Sequence, residues 1–186
     1  AHRWVSLAPG PRFERQPESV RPGTIYKVDD YALASRLSFF LWGMPPDAAL
    51  LAAAGRGELA TTAGLERHAR RLLADPRADA LGPRFAGQWL RVQDVDKVHP
   101  DPNFYPNFEG QLGDLMKRET EMFFNSLVRE DRSVLDLLRA DYTFMNERLA
   151  RHYGVPGVAG SHFRRVTYPD ARRRGLFGQG SMLVQT

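Results

Sequence analysis

Hydrophobic residues recur at helical spacing through most of the chain, and the clearest example lies near its middle. Residues 107–129 carry an apolar stripe with one carboxylate, Glu119, inside it, which predicts a long amphipathic helix. A short helix and a third helix ending at Gly154 are expected to follow, because a glycine in this position closes many helices. The apolar stripe comprises Leu112, Leu115, Met116, Met122, Phe123 and Leu127.

The same spacing predicts further helices in the first half of the chain. Asp29 or Asp30 is a suitable N-cap for the first of them, and Pro46 fits the first turn of the second. Asp75 followed by Pro76 has the form of another helix start, a capping residue and then a proline. The expected fold is an all-α, irregular bundle of six to seven helices with a proline-rich N-terminal arm.

Two proline-rich stretches interrupt this helical pattern. Residues 8–27 are predicted to form the irregular arm, and residues 98–106 a loop. The loop aromatics Phe104 and Tyr105 are expected to fold back onto the bundle. Because the chain begins without a methionine and stops inside an apolar pattern, we expect a piece of a longer protein. The predicted parts are the end of a preceding domain at 1–28, a helical domain at 29–160 and the start of a following domain at 161–186.

Charge and composition limit the chemistry more than they define it. The chain has 26 basic and 22 acidic residues, so a net charge of +4 describes a mixed surface. Basic residues concentrate between Arg164 and Arg174, which indicates either a solvated turn, the favoured interpretation, or a phosphate-binding patch. The chain has no cysteine, which excludes disulfides, thiolate metal sites and CxxCH-linked haem in this chain. No signal peptide and no apolar run of membrane-spanning length are visible.

Glu119 is the candidate residue with two sharply different interpretations. A carboxylate inside an apolar stripe is either an acid or base with a raised pKa, or one half of a buried ion pair. Arg36 and Arg84 occupy comparable core-edge positions in two other predicted helices, so a structural pair with one of them is favoured. Glu121 lies two positions further on and points to a different side of the helix, so the two carboxylates are not a simple catalytic pair.

Other polar residues give weaker indications. His152 lacks the helical spacing of a zinc ligand pair and is interpreted as a hydrogen-bonded packing residue. Asp141 is more typical of a cap than of a ligand. His99 and Asp101 offer two metal ligands without an evident third, so no metal site is predicted. The glycines from Gly175 to Gly180 have the wrong spacing for a dinucleotide-binding loop.

A set of aromatic residues permits either a ligand pocket or ordinary core packing, and at helical spacing core packing is favoured. The set consists of Phe39, Phe40, Trp42, Phe85, Trp89, Phe123 and Phe124.

Four stretches together resemble a known family. The chain is similar to domain-of-unknown-function family 1592, found in large exported proteins of planctomycetes and related bacteria. The resemblance implies export, to the periplasm or beyond, and a c-type cytochrome module elsewhere in the protein. It transfers no catalytic residue, and any haem would belong to a missing domain or a partner. The stretches are 31–42, 85–90, 118–124 and 141–154, with 174–183 similar to the start of the domain that usually follows.

Three functional hypotheses remain open from the sequence. The first is a non-catalytic scaffold or docking module of an exported, redox-associated protein or complex, which meets its partners through Trp4 and the segment Met182, Leu183 and Val184. The second is an enzyme domain with Glu119 and His152 as acid–base groups, for which Glu121 and Asp141 are further candidates. The third, ranked lowest, is nucleic-acid binding through the arginines of 164–174.

Overall fold

The computed structural model describes residues 4–6, 25–106, 108 and 110–185. Most of these residues are helical, which confirms the all-α class. The chain forms two compact units, Ala1–Ala78 and Asp79–Thr186. The described helices include none that is both long enough and apolar enough to cross a lipid bilayer. The predicted arm lies mostly outside the described residues, and the predicted domain limits stay predictions.

Helix α1, Asp30–Trp42, opens the helical part of the first unit. The Asp29 side chain accepts a hydrogen bond from the Ala32 N–H at 2.9 Å, as the capping prediction requires. Gly43 ends the helix in the left-handed conformation, with φ of 72°. Ahead of α1, strands β1 (Trp4–Ser6) and β2 (Ile25–Lys27) pair antiparallel.

The prediction for Pro46 was wrong by two positions. Helix α2, Ala48–Gly55, has Asp47 as its N-cap, and the Asp47 carboxylate accepts from the Leu50 N–H at 2.9 Å. Because that side chain satisfies a free N–H of the first turn, the helix begins after Asp47 and Pro46 stays outside it. The unit continues with a 3-10 turn at Glu58–Ala60 and with helix α3 at Thr62–Ala74.

The chain after Asp75 is helical but not the regular α-helix that the sequence predicts. It forms a 3-10 segment at Pro76–Ala80 and then a π-helical turn at Gly82–Ala86, before the short helix α4 at Gly87–Trp89. A Cβ atom on Gly82 would lie only 2.9 Å from the side-chain nitrogen of Asn125. The glycine therefore permits close approach to the long helix of this unit, where the backbone winding changes.

Helix α5, Gly110–Arg129, organises the second unit. Leu112, Met116, Phe123 and Leu127 of its predicted stripe are buried, and Leu115 and Met122 are half-buried. Met116 lies in a first hydrophobic cluster and Phe123 in a second. The first cluster packs α5 against the helix and strand that follow residue 140, and the second packs it against Ala140 and Leu176. A 3-10 segment at Val92–Lys97 also packs against α5.

A small antiparallel pair of strands completes the second unit. Strand β3, Tyr142–Met145, pairs antiparallel with strand β4, Arg164–Thr167. Tyr142 pairs with Thr167 and Met145 with Arg164. The remaining elements are helix α6 (Asp136–Arg139), helix α7 (Glu147–Tyr153), a 3-10 turn (Leu176–Gly178) and helix α8 (Gly180–Leu183).

Several aromatic predictions were wrong. Phe104 is 78% exposed and Tyr105 is 62% exposed. Both backbone N–H groups donate to the carbonyl of Asp101, so this loop closes on itself and presents the two rings to solvent. Of the seven aromatics interpreted as core, Trp42 and Phe123 are buried and Phe124 is half-buried. The exposed members are Phe39, Phe40, Phe85 and Trp89.

Candidate functional site: a buried carboxylate held by hydroxyl groups

The polar centre of the second unit is the side chain of Glu119, which is 0% exposed. Its Oε1 accepts hydrogen bonds from the Thr143 hydroxyl at 2.7 Å and from the Tyr168 hydroxyl at 3.3 Å. Its Oε2 accepts from the Tyr153 hydroxyl at 2.5 Å. Both oxygens therefore have donors, which is the condition under which a polar group is tolerated in a protein core.

The donors reach Glu119 because separate elements converge on α5. Thr143 belongs to β3, and its side chain is fully buried. Tyr168 follows β4 directly and donates its backbone N–H to the carbonyl of Asp141, beside the start of β3. Tyr153 is the last residue of α7. The strand pair and the end of α7 thus place three hydroxyls around one carboxylate.

A second layer of polar contacts comes from the segment that leads into α8. Gln179 and Ser181 are both buried. The Thr120 hydroxyl donates to the Gln179 side-chain oxygen at 2.7 Å and lies 2.5 Å from the Ser181 hydroxyl. The Gly180 N–H donates to the Tyr153 hydroxyl oxygen at 2.7 Å. This segment is therefore tied to the same polar centre as Glu119.

Burial is the main cause of the raised pKa of Glu119. Removal from water raises the pKa of the carboxyl group to about 7, and hydrogen bonds from the hydroxyls only partly oppose this. The Arg173 guanidinium also favours the ionised form. Burial and the nearby carboxylate in turn raise the pKa values of Tyr153 and Tyr168, so both phenols stay protonated and act as donors. The site can therefore store or release a proton near neutral pH.

The other candidate acids and bases do not gather around Glu119 in an open site. Glu121 is half-buried on α5, and burial raises its pKa. His152 and Asp141 are exposed. Partial burial lowers the pKa of His152, and the positive charge of Arg173 lowers it further. The cap that begins α7 is Asn146, whose side chain accepts from the Leu149 N–H.

The predicted ion pair of Glu119 with Arg36 or Arg84 stays a prediction. Arg36 lies in α1 of the first unit, and Arg84 is exposed in the π-helical turn. The contacts found at the carboxylate come from hydroxyl groups, and the guanidinium that acts on its pKa is that of Arg173.

A groove of about 560 Å³ contains part of the predicted partner-binding surface. Met182 and Val184 line it together with Trp89, which is 56% exposed. Leu183 is half-exposed and lies at the second cleft of this unit, described below. For Trp4 the structure describes the backbone within β1 and nothing of the side chain.

Most arginines of the basic run have internal partners. Arg165 forms a salt bridge with Glu130, and its guanidinium lies 4.4 Å from the centre of the Tyr142 ring. Arg172 pairs with Asp170 at 2.6 Å. Partners within the fold reduce the positive charge that the run presents to a phosphate backbone.

Within the part of the chain that the structure describes, no group of three or more His, Asp or Glu side chains is arranged to hold a metal ion. In the proline-rich loop, His99 Nδ1 lies 2.9 Å from the Lys97 carbonyl, and Asp101 accepts from Asn103.

The sequence pattern did not predict the hydroxyl cage, the three hydroxyls of Thr143, Tyr153 and Tyr168 that hold Glu119. For its second layer of polar contacts, the sequence did contain one signal. Gln179 and Ser181 alternate with glycines inside an otherwise apolar run, which is unusual for a solvent-exposed turn. Small or flexible polar residues in such a run indicate buried hydrogen bonding. Thr143 and Tyr168 carry no comparable signal, since their role depends on the pairing of distant strands.

The family model described as PSD4, a protein of unknown function (DUF1592), matches residues 28–155. No curated protein and no solved structure matches the chain.

Proposed function

Because the chain belongs to the DUF1592 family, we propose that it is a non-catalytic helical docking module of an exported protein or complex that works beside a c-type cytochrome. The observation that carries the docking proposal is the groove lined by Trp89, Met182 and Val184. An indole that is more than half exposed beside aliphatic side chains is typical of protein-binding surfaces.

The charges around this groove support a partner of one chemical kind. Arg91 and Lys97 both pair with Asp94, at 2.5 Å and 2.7 Å, so two cations share one carboxylate. Arg91 also adopts the left-handed conformation, with φ of 55°, which is costly for a residue with a side chain. We infer that the partner presents an apolar side chain to Trp89 and a carboxylate to this cationic rim.

Photo-cross-linking in the natural full-length protein, produced in its own host, tests the docking surface. A photoreactive amino acid replaces Trp89 in one variant and Phe104 in a matched control, since both side chains are exposed aromatics. Docking predicts a defined cross-linked product at position 89 and none at position 104. Equal, diffuse labelling at both positions would contradict the proposal.

The cytochrome and export parts of the proposal rest on the family resemblance. The chain has no cysteine, so covalently attached haem would belong to another part of the polypeptide or to a partner. The product cross-linked through position 89 should therefore stain for covalent haem and fractionate with the periplasm or the medium. Haem-free products confined to the cytoplasm would remove this part of the proposal and leave the docking surface standing.

An enzyme remains the second candidate because one observation favours it. The pKa of Glu119 is about 7, and Tyr153 and Tyr168, which hold its carboxylate, line a cleft. If Glu119 transfers protons to a substrate, Glu119→Gln abolishes turnover and leaves the thermal stability nearly unchanged at about pH 5, where the carboxyl group of the folded wild-type protein is also neutral. A large loss of stability favours the structural role.

Nucleic-acid binding through the arginines of 164–174 is the lowest-ranked alternative. It predicts affinity that falls steeply with salt, and the salt dependence should become shallower with each arginine that is replaced. Salt titration of binding to a short duplex, with wild-type protein and with Arg174→Gln, measures this directly. Weak binding without a salt slope would remove the alternative.

A further inference from the structure

A second concave site lies within the unit Asp79–Thr186, next to the hydroxyl cage. It is a cleft of about 400 Å³, in the size range of small-molecule sites. One side is formed by Tyr153 and Tyr168, whose hydroxyls hold Glu119. Apolar atoms of Val155, Pro169 and Phe177 contribute to the rest of the lining.

One cation of this cleft is held in place and is not neutralised by a salt bridge. Arg173 donates from Nη1 to the Gly178 carbonyl at 3.0 Å, and its guanidinium carbon lies 4.3 Å from the centre of the Tyr153 ring. Among the described residues it forms no salt bridge, whereas its neighbour Arg172 pairs with Asp170 at the same cleft. A fixed guanidinium with unused N–H donors binds a carboxylate well, because little side-chain freedom is lost.

We propose that this cleft binds a small organic carboxylate, with Arg173 holding the carboxylate group and the apolar lining contacting the body of the ligand. Phosphate-sized inorganic anions would use the guanidinium but leave the apolar wall unfilled, so they should bind less well. The proposal goes beyond the docking function and does not depend on it, since the groove at Trp89 has a different lining.

The position of Arg173 couples this site to Glu119. The positive charge of Arg173 favours the ionised carboxyl group of Glu119 and the neutral form of His152. A bound anion offsets that charge, so both residues take up protons more readily when the ligand is present. Binding should therefore be tighter at lower pH. The groups around the carboxylate and the guanidinium are Thr143, Tyr153, Tyr168, Asp170, Arg172, Gln179 and Ser181. Of these, Asp170 pairs with Arg172, and the charge of Arg173 also helps to lower the pKa of Asp170.

Calorimetric titration of the whole chain with benzoate tests the site, with benzyl alcohol as the uncharged ligand of similar shape. We expect saturable binding of benzoate by roughly 10 mM, tenfold above a millimolar dissociation constant. Arg173→Gln should weaken binding at least about tenfold, the loss expected for one charged hydrogen-bonding partner. The matched control Arg174→Gln, an exposed neighbour outside the cleft lining, should leave the affinity unchanged. Arg173→Lys keeps the charge without the planar fork and should give an intermediate affinity.

Two outcomes would overturn the carboxylate site. One is that benzoate gives no heat of binding at that concentration. The other is that the wild-type protein binds benzyl alcohol as tightly as benzoate, or that the Arg173→Gln protein binds benzoate as tightly as the wild type does. In either case the guanidinium would contribute nothing to binding. Circular dichroism of each variant confirms that it is folded. If Arg173→Gln does not fold, Arg173→Lys replaces it as the test variant.

The coupling has its own readout. Titrations in two buffers with different ionisation enthalpies measure the protons taken up on binding at about pH 7. Uptake should fall sharply in Glu119→Gln and persist in His152→Gln, because the pKa of Glu119 is about 7, the pH of the measurement, whereas the pKa of His152 is lowered from 6.5. Binding that is independent of pH in the wild-type protein would contradict the coupling.

Discussion

The enclosed carboxylate of Glu119 should control how the stability of the protein depends on pH. Its pKa rises from an ordinary value of 4.5 to about 7 on folding, because burial disfavours the charged form. A raised pKa stabilises the folded state fully below the unfolded value, and this contribution is lost as the pH rises through the folded value. At about 1.4 kcal/mol for each pH unit, the contribution is about 3 kcal/mol.

The substitution Glu119→Gln removes this titration and keeps the size of the side chain. The difference in free energy of unfolding between the variant and the wild type should therefore shift by about 3 kcal/mol between about pH 4.5 and pH 8, in favour of the variant at the higher pH. Carboxylates whose pKa is lowered, such as Asp47 and Asp136, act in the opposite direction. They are common to both proteins, so their contributions cancel in the difference.

Urea denaturation followed by circular dichroism at a series of pH values gives the two free energies. Glu121→Gln is a matched control on the same helix, and because Glu121 is half-buried we expect a smaller shift of the same sign. A free-energy difference between the Glu119→Gln protein and the wild type that stays constant across this pH range would show that Glu119 does not titrate near pH 7 in the folded protein.

Three further substitutions test the packing around the site and in the first unit, each by urea denaturation against wild type. Gly180→Ala should lower stability by about 1–3 kcal/mol, because the new Cβ would lie 2.8 Å from Met116; unchanged stability would mean that the α8 segment is not held as described. Asn146→Ala removes the cap of α7 and should cost about 1 kcal/mol, with Ser as a replacement that restores most of it. Trp42→Phe removes the N–H that bonds the Leu72 carbonyl at 2.9 Å and should cost about 1–3 kcal/mol; a neutral result would contradict a buried bond there.

Local signals in the sequence predicted those parts of the fold that depend on neighbouring residues. Asp29 begins α1 and Gly154 ends α7 as expected, since a cap acts within one turn of its own helix. The start of α2 was predicted at Pro46, whereas the Asp47 side chain caps that helix, and the spacing of apolar residues does not distinguish these two adjacent positions. The exposed Trp89 shows a second limit, because helical periodicity identifies an apolar residue without showing what covers it.

The candidate site around Glu119 was likewise predictable from the sequence only in part. The inward position of Glu119 followed from its place in the apolar stripe, and its burial agrees with that prediction. Its partners did not follow, because Thr143, Tyr153 and Tyr168 lie 24, 34 and 49 residues away and meet it only through strand pairing and helix packing. Tyrosine and threonine are also ordinary core residues, so their hydroxyls give no advance indication of a common acceptor.

Titration of Glu119 itself tests the central claim that an enclosed carboxylate is held by hydroxyl groups. Carbon NMR of protein labelled at the glutamate side-chain carboxyl carbon, with Glu119→Gln to assign the signal, follows the ionisation directly. We expect a midpoint near pH 7 in the wild-type protein, and a higher one in Thr143→Val, which lacks one donor to the ionised form. A midpoint near the ordinary 4.5, unaffected by loss of the Thr143 hydroxyl, would contradict the claim.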